Sequence, residues 1–177
     1  MQREIAGFTL LEAIIVIAVL IGAAGVVLPL MSAEMHDTKI TRALDDASRI
    51  AGAYNNAARD RGMLPGADAE GTPTATYYTS GALPGGLPLG KREQLIHLFD
   101  NTPESAPSEK WKGPYLGEVG SDPWGRAYVV LVPSKNAVLS KKEGTHVWAL
   151  SAGRDGIVST TERDDAVAGD DIGVCVR

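Results

Sequence analysis

An apolar stretch beside a single carboxylate, close to the N-terminus, constrains this chain more than any other feature. Nineteen uncharged residues follow one another from Ala13 to Met31, directly after Glu12. About 20 helical residues span the ~30 Å hydrocarbon core of a bilayer, so the stretch is long enough for a membrane-spanning helix. A carboxylate next to such a stretch costs roughly a few kcal/mol of insertion free energy unless a cation lies nearby. Glu12 is therefore a candidate functional residue.

Two general interpretations of this N-terminus compete with a more specific one. A cleaved secretory signal has a basic start and an apolar region of about 7–15 residues. Here Met1–Gly7 carries one arginine and one glutamate, and the apolar region is longer, which argues against such a signal. A plain single-pass anchor, with the Glu12 carboxylate reaching the membrane surface, stays open.

The specific interpretation comes from Gly7–Glu12, whose sequence is Gly-Phe-Thr-Leu-Leu-Glu. This hexapeptide, followed by an apolar helix, resembles the class III signal of type IV pilins and pseudopilins. The resemblance implies that prepilin peptidase cleaves between Gly7 and Phe8 and methylates the new N-terminus of Phe8. It also implies that Glu12 is the acidic residue used in assembly and that Pro29 is the helix-kinking proline of the family.

The charges of this segment agree with the resemblance. Cleavage creates an α-amine at Phe8, and methylation keeps its positive charge. Residues four apart lie on the same side of a helix, so the amine lies close to Glu12 of its own chain or of a neighbour. Pairing between subunits would fix the register of an incoming subunit, because an unpaired carboxylate in an apolar bundle is costly.

Composition favours one anchored domain of modest size. The chain has 177 residues and a net charge of −5, with 17 lysines and arginines scattered along it and only 6% aromatic residues. These values give no basic patch and no stacking platform for nucleic acid. The single cysteine, Cys175, excludes an intrachain disulfide, which many type IV pilins have near the C-terminus.

The residues after the apolar stretch predict an amphipathic continuation of the helix. Apolar residues recur at spacings of three and four from Ile40 to Ala58, which is the helical periodicity. Gly62 is a natural helix end, and Pro65 follows it. We therefore predict a helix from Phe8 to Arg61 that kinks or locally melts at Pro29.

The middle of the chain, residues 63–110, is rich in Gly, Pro, Ala and Thr up to residue 89. This composition predicts an extended loop with little regular structure. A short apolar segment, Lys91–Phe99, is predicted to form one short helix. No motif in this region identifies a partner.

Two aromatic motifs come next. Residues 111–116 have the sequence Trp-Lys-Gly-Pro-Tyr-Leu, and Asp122–Tyr128 begin with Asp-Pro-Trp-Gly. The second motif has turn chemistry, because Asp accepts backbone N–H groups, Pro fixes φ and Gly allows the chain to leave the turn. Three antiparallel strands are predicted beyond it, at Tyr128–Val132, Ala137–Ser140 and Thr145–Leu150. The two motifs together resemble the major pseudopilin of type II secretion systems.

The C-terminal segment is rich in aspartate. Five aspartates within 17 residues repel one another unless a cation or solvent intervenes; they are Asp155, Asp164, Asp165, Asp170 and Asp171. Major pseudopilins have a similar loop that binds Ca²⁺, a cation that takes six to eight oxygen ligands. The resemblance therefore implies a Ca²⁺ site, with either Asp164-Asp165 or Asp170-Asp171 as the binding pair. A solvated acidic loop is the alternative, and the spacing is not that of an EF-hand.

The combined prediction is an α+β pilin-like fold, in which a long N-terminal helix packs on a small antiparallel sheet with a loop-rich C-terminus. Its parts are a leader (1–7), a transmembrane and filament-core helix (8–31), an amphipathic helix (32–62), a variable loop with a short helix (63–110), and the sheet with its calcium loop (111–177).

The resemblance implies a structural subunit of the type II secretion pseudopilus, a homopolymer that drives export of folded proteins across the outer membrane. The implied partners are minor pseudopilins, prepilin peptidase and the inner-membrane secretion platform. The implied location is the bacterial inner membrane, with a single span and the C-terminal domain in the periplasm. No catalytic motif is recognisable, so no enzymatic activity is predicted. The alternatives are a type IV pilus subunit or minor pilin and a membrane-tethered Ca²⁺-binding module that does not polymerise.

Overall fold

The computed structural model describes residues 9–61, 75–88, 91–100, 111–133 and 146–176. The chain divides into two compact units, residues 1–39 and 40–177. The longest element, helix α1, covers Leu10–Arg61 and so contributes to both units. Its helical backbone continues through Pro29, so the local melting that the proline predicted does not occur. The end at Arg61 matches the prediction, whereas Phe8 and Gly62 lie outside the described residues.

In the first unit, the side chains of α1 from Leu10 to Gly25 are exposed. They include large apolar side chains on every side of the helix, such as Leu10, 80% exposed, and Ile21, 68% exposed. Among the residues that the structure describes, no helical stretch has the length and hydropathy that a membrane crossing requires. The transmembrane segment at 8–31 stays a prediction, because Phe8 and the side chains of residues 26–33 lie outside the description.

In the second unit, the later part of α1 packs against a sheet through one apolar stripe. The fully buried members of this stripe follow helical spacing: Ala43, Ala47, Ile50, Tyr54 and Ala57. The small alanine side chains let the helix approach the sheet closely, while Ile50 and Tyr54 fill the space between them. The predicted amphipathic face is therefore confirmed within residues 40–61.

The sheet has five strands in the order β2-β1-β3-β4-β5. Their bounds are Ala75–Tyr78 (β1), Lys91–Gln94 (β2), Val129–Val132 (β3), Val147–Ser151 (β4) and Ile172–Val176 (β5). The pairs β1–β3, β3–β4 and β4–β5 are antiparallel, whereas β1 and β2 are parallel. The α+β class is as predicted, but the sheet is mixed and not purely antiparallel.

The middle of the chain contributes two of these strands, which corrects the prediction of an irregular loop there. Residues Ala75–Tyr78 pair with β3, and Tyr77 becomes 1% exposed against the α1 side of the sheet. The segment predicted as a helix, Lys91–Phe99, instead forms β2 and a 3₁₀ turn at Ile96–Leu98. Pairing with a neighbouring strand overrides the weak local preference of such short segments.

Two further differences concern the strands near the C-terminus. The predicted strand Ala137–Ser140 lies outside the described residues, and β3 pairs directly with β4, matching Val130 with Ala149. The predicted loop-rich C-terminus ends in strand β5, which pairs along the whole of β4. β5 lies at the edge of the sheet, and β4 is its neighbour in the strand order. No local pattern in Ile172–Val176 predicts this pairing.

The sheet buries both of its faces. Alternate residues of β3 and β4, namely Val130, Val132, Val147 and Ala149, face the cluster that contains α1. The residues between them, Val129, Leu131, Trp148 and Leu150, join Ala152 and Val158 in a second cluster on the opposite face. Strands buried on both faces read as continuous apolar runs, which explains Val-Val-Leu-Val in β3.

Candidate functional site

The predicted processing and assembly residues lie in the first unit. Gly7 and Phe8, and the side chain of Pro29, are outside the described residues. Glu12 lies in the first turn of α1, where its backbone N–H donates to Thr9 Oγ1 at 3.3 Å. A threonine is an N-cap when its hydroxyl oxygen accepts a hydrogen bond from the backbone N–H three residues later, so Thr9 caps the start of the helix. The Glu12 side chain is exposed in this single chain.

The first aromatic motif fastens the chain to the end of α1. The Trp111 and Tyr115 rings meet edge to face, with centroids 6.1 Å apart. The Tyr115 hydroxyl donates to Asp60 Oδ2 at 3.0 Å and accepts from the Lys112 backbone N–H at 2.9 Å. Lys112 Nζ lies 3.8 Å from the other oxygen of Asp60. The motif thus binds the last turn of α1 through the carboxylate of Asp60.

The second motif, at residues 122–126, forms the predicted turn. Asp122 Oδ1 accepts the backbone N–H groups of Trp124, at 3.0 Å, and Arg126, at 2.8 Å. The Gly125 N–H donates to the Asp122 carbonyl at 2.9 Å, and Gly125 has a φ of +84° that favours glycine. The roles predicted for Asp122 and Gly125 are confirmed, and Asp122 is only 3% exposed.

This turn is tied to the aspartate-rich loop through Asp122. Its second oxygen, Oδ2, accepts the Ser151 hydroxyl at 2.5 Å, and Ser151 Oγ accepts the Gly153 N–H at 3.2 Å. Ser151 is the last residue of β4 and is fully buried. A buried carboxylate that accepts three hydrogen bonds is well satisfied, so the turn and the loop form one hydrogen-bonded unit.

Arg126 joins the same unit from the other side. Its guanidinium donates to the Gly153 carbonyl at 3.0 Å and to the Arg154 carbonyl at 3.4 Å. Gly156, with a φ of +76°, lies so close that a Cβ atom there would overlap the Arg126 guanidinium. The Arg154 carbonyl therefore already accepts a hydrogen bond from a cationic side chain.

Of the five predicted metal ligands, the structure brings Asp155 and Asp170 together. Asp170 Oδ2 accepts the backbone N–H groups of Arg154, at 2.8 Å, and Asp155, at 2.9 Å. Burial acts to raise the pKa of Asp170, but its hydrogen bonds with Asp155 and Arg154 outweigh that effect and hold this pKa below its ordinary value. The Asp155 carboxylate in turn accepts the Ile157 N–H at 2.8 Å.

Asp171 is the most buried of the five, at 8% exposed. Its Oδ2 accepts the N–H groups of Ser159 and Thr160 and the hydroxyl of Thr160, all within 2.8 Å. Its Oδ1 is buried and has no hydrogen-bond partner among the described residues. Burial raises the pKa of Asp171 above its ordinary value against the effect of these hydrogen bonds, and the charge of Asp170 raises it further.

Asp164 and Asp165 have separate partners. Asp164 Oδ2 accepts both the N–H and the hydroxyl of Thr161, which lowers the pKa of this carboxyl. Asp165 lies against His146, with Oδ1 3.2 Å from the ring Nε2. Of the two predicted binding pairs, Asp170-Asp171 is the one with a hydrogen bond to Asp155 among the described residues.

A cation fits this loop in part. Within the described residues, no three acidic, histidine or cysteine side chains converge into a ready metal cluster. The adjoining carboxylates of Asp155 and Asp170 and the unpartnered Oδ1 of Asp171 are nevertheless oxygen donors of the kind that Ca²⁺ uses. Carbonyl groups or water would have to complete the coordination.

Residues 88–169 match the family model described as type II secretion system, protein G. This part of the chain is similar to the type II secretion protein G family. The match begins just before β2 and takes in both aromatic motifs, β3, β4 and most of the aspartate-rich loop. The sequence motifs had predicted this family, whose members are structural components of the secretion system. Comparison with curated proteins gave no match, and comparison with solved structures gave none either.

Sequence reasoning found Asp122 but missed the residues that join its turn to the loop, Ser151 and Arg126. The turn chemistry that the motif predicts involves neither of these two side chains. These contacts could have been expected from one general rule, that both oxygens of a buried carboxylate accept hydrogen bonds. The turn itself supplies donors for only one oxygen, so a second donor had to come from elsewhere.

Proposed function

We propose that this chain is a structural subunit of the type II secretion pseudopilus and polymerises through its N-terminal helix. The similarity of residues 88–169 to type II secretion protein G supports a role in that secretion system. The resemblance of Gly7–Glu12 to a class III signal supports a pilin-like subunit. Polymerisation would let a filament of these subunits drive folded proteins across the outer membrane.

The observation that carries the assembly step is the exposure of the first half of α1. From Leu10 to Ile21 its large apolar side chains are 47–80% exposed in the single chain. Each fully buried aliphatic side chain contributes about 1.5–3 kcal/mol, so this surface needs either lipid or other helices around it. Lipid would cover this apolar surface before assembly, and neighbouring subunits would cover it afterwards.

Glu12 would determine how the N-terminal helices of neighbouring subunits pack in the filament. Its carboxylate sits at the start of the exposed apolar surface, four residues from the α-amine that cleavage would create at Phe8. In a helical bundle this charge would pair with the α-amine of an adjacent subunit. The partners in this scheme are further copies of the chain, minor pseudopilins, prepilin peptidase and the inner-membrane platform. The place of assembly would be the inner membrane, with residues 40–177 in the periplasm.

A bound Ca²⁺ would stabilise the loop that follows β4. Asp155, Asp170 and Asp171 would hold it, because Asp155 contacts Asp170, the charge of Asp170 repels that of Asp171, and one oxygen of Asp171 is buried without a donor among the described residues. The ion would neutralise this repulsion and fasten the chain between β4 and β5. Calcium supplies only structural stability in this scheme.

The assembly proposal is tested by replacing Glu12 in cells that lack the wild-type subunit. The Glu12→Leu variant is expected to insert in the membrane but to lose the ladder of multimers after crosslinking. Its exported proteins are expected to accumulate in the periplasm. Glu34→Leu is the matched control, since Glu34 is another exposed carboxylate on the same helix.

Retention of both the ladder and secretion by Glu12→Leu would contradict the proposal. Loss of a long surface pilus without loss of secretion would instead indicate a type IV pilus subunit. Normal membrane insertion must be verified by fractionation, because a variant that never reaches the membrane loses both readouts for a different reason.

A further inference from the structure

A pocket opens at the surface of the second unit, where three segments of the chain come together. Its lining residues come from segments 78–80, 94–99 and 118–119, and its volume is about 270 Å³. The first segment is the last residue of β1 with the two residues after it, and the second contains the end of β2 and the 3₁₀ turn. None of the lining residues belongs to the turn at Asp122–Arg126 or to the aspartate-rich loop.

Hydrogen bonds hold the three walls of this pocket together. The Leu95 N–H donates to the Tyr78 carbonyl at 2.9 Å, which joins the second wall to the first. The Ser80 hydroxyl donates to the Val119 carbonyl at 3.0 Å, which joins the first wall to the third. The pocket is therefore part of the fold, so a ligand would need little conformational change to enter it.

The walls are mainly apolar. Leu95 and Val119 are buried, at 1% and 5% exposed, whereas Ile96 is 42% exposed. Tyr78 and Phe99 add two partly buried aromatic rings. A cavity of ~150 Å³ is enough to hold benzene, so this volume accommodates a ring system as large as an indole. Pockets for whole small ligands occupy about 300–1,000 Å³, so the smaller volume favours one side chain of a larger partner.

The charge at the pocket is negative. The described residues that line it include one exposed carboxylate, Glu118, and no lysine or arginine. A second exposed carboxylate, Asp100, directly follows the lining residue Phe99. Arg92 on β2 donates instead to the Leu87 carbonyl, at 3.4 Å. A carboxylate beside aromatic rings attracts an ammonium or guanidinium group, so charge complementarity specifies a basic group next to the apolar one.

We propose that this pocket binds an aromatic side chain that lies next to a lysine or arginine in a segment of a partner protein. The aromatic ring packs against the apolar walls at Leu95 and Val119, and the neighbouring basic group pairs with Glu118. The proposal does not depend on filament assembly, because the pocket is formed within residues 40–177 of one chain.

Short peptides test whether the ring and the positive charge are both needed. The full chain in a non-ionic detergent is dialysed to equilibrium at pH 7 against N-acetyl-Trp-Lys-amide, and the free peptide is quantified by mass spectrometry. Matched peptides carry Trp-Glu, which reverses the charge, or Ala-Lys, which removes the ring. We expect Trp-Lys to bind about fivefold more tightly than Trp-Glu, and Ala-Lys to show no measurable binding.

Two variants at exposed positions assign the binding to this pocket. Glu118→Gln is expected to bind Trp-Lys and Trp-Glu with similar affinity, since it removes the charge that distinguishes them. Ile96→Ala is expected to weaken the binding of both peptides about fourfold, because it removes apolar contact at the wall. The matched controls are Glu34→Gln, on α1 in the first unit, and Leu83→Ala, which is 47% exposed and does not line the pocket. Circular dichroism verifies the fold of each variant.

Equal binding of Trp-Lys and Trp-Glu by the wild-type chain would overturn the proposal, as would wild-type behaviour of either folded variant. Tryptamine carries the same ring and a positive charge on one small molecule. It is expected to bind more weakly than the Trp-Lys peptide, because the peptide backbone adds contacts at the rim of the pocket. A tryptamine affinity equal to that of the peptide, or higher, would overturn the partner protein as the source of the ligand.

Discussion

The hydroxyl group of Tyr128 donates a hydrogen bond to Asp46 Oδ2 over 3.1 Å, joining the residue before β3 to helix α1. The same carboxylate lies 3.1 Å from Arg49 and 3.9 Å from Arg42 on the helix. Tyr128 is 1% exposed and therefore keeps both its ring and its hydroxyl away from water. This contact fixes the rotational position of α1 on the sheet within residues 40–177.

Alkaline pH should weaken the fold through Tyr128. Burial and the Asp46 carboxylate raise the pKa of Tyr128 far above its ordinary value, so the folded chain keeps the proton that an unfolded chain loses near pH 10. The stability from this group is fully present below pH 10 and falls above it by up to about 1.4 kcal/mol per pH unit.

Denaturant unfolding between pH 9 and 11 checks this expectation. Tyr128→Phe should cost about 0.5–1.5 kcal/mol at neutral pH and show a shallower decline above pH 10. An identical decline in the variant and the wild type would mean that other groups cause the alkaline loss.

Removing the Asp122 carboxylate should loosen the turn and the C-terminal loop together. Asp122→Ala leaves Trp124 N–H, Arg126 N–H and the Ser151 hydroxyl without their acceptor. Each buried unsatisfied group costs about 1–3 kcal/mol, so we expect a loss of at least about 3 kcal/mol in unfolding free energy. Ser151→Ala should cost about 1–2 kcal/mol, and the exposed Asp100→Ala is the control. Equal stability of Asp122→Ala and Asp100→Ala would contradict the structure.

A side chain at Gly156 should displace Arg126. Gly156→Ala combines a positive φ with overlap between the new Cβ and the guanidinium, so we expect a loss of about 1–3 kcal/mol. Gly117→Ala is the matched control, because no atom lies within 4 Å of its added Cβ. The comparison is made by thermal unfolding of the two variants, and a Gly156 variant no less stable than the control would exclude the close contact.

Calcium should raise the unfolding temperature of the chain, and chelation should lower it. Binding to the folded state alone stabilises by about 2.7 kcal/mol when the free ion is at 100 times its dissociation constant. Asp155→Asn and Asp170→Asn are expected to abolish the shift, whereas Asp164→Asn should retain it because Asp164 caps the Thr161 turn. Mg²⁺ should have little effect, since it demands a more rigid octahedral site.

The alternative of a solvated acidic loop predicts no shift in any of these proteins. Loss of the shift in Asp164→Asn, with retention in Asp170→Asn, would assign the binding pair to Asp164-Asp165. Either result leaves the similarity of residues 88–169 to type II secretion protein G unaffected.

Local chemistry accounts for what was predictable. The turn at Asp122–Arg126 forms because Asp, Pro and Gly each act within four residues of one another. The buried stripe from Ala43 to Ala57 follows from helical spacing, and the helix end at Arg61 from the glycine beyond it. Short sequence motifs also predicted the similarity of residues 88–169 to type II secretion protein G.

Long-range pairing decided the rest. Strands β1 and β2 were hidden in a Gly- and Pro-rich region, because four-residue strands carry almost no periodicity of their own. β5 exists because β4 offers it an edge, and that pairing sets Cys175 beside His146. The spacing of the five aspartates gave no indication of which of them would meet, and the loop path separates Asp165 from Asp170.

Residues a few positions apart are enough to predict the amphipathic part of α1 and the Asp-Pro-Trp-Gly turn, and their motifs indicate a similarity to type II secretion protein G. Only the tertiary structure decided the mixed sheet, the bond between Ser151 and Asp122, and the contact between Cys175 and His146. The Ser151–Asp122 and Cys175–His146 contacts each join residues 29 positions apart. The free energy that selects them comes from burying two faces of one sheet, which no single segment does alone.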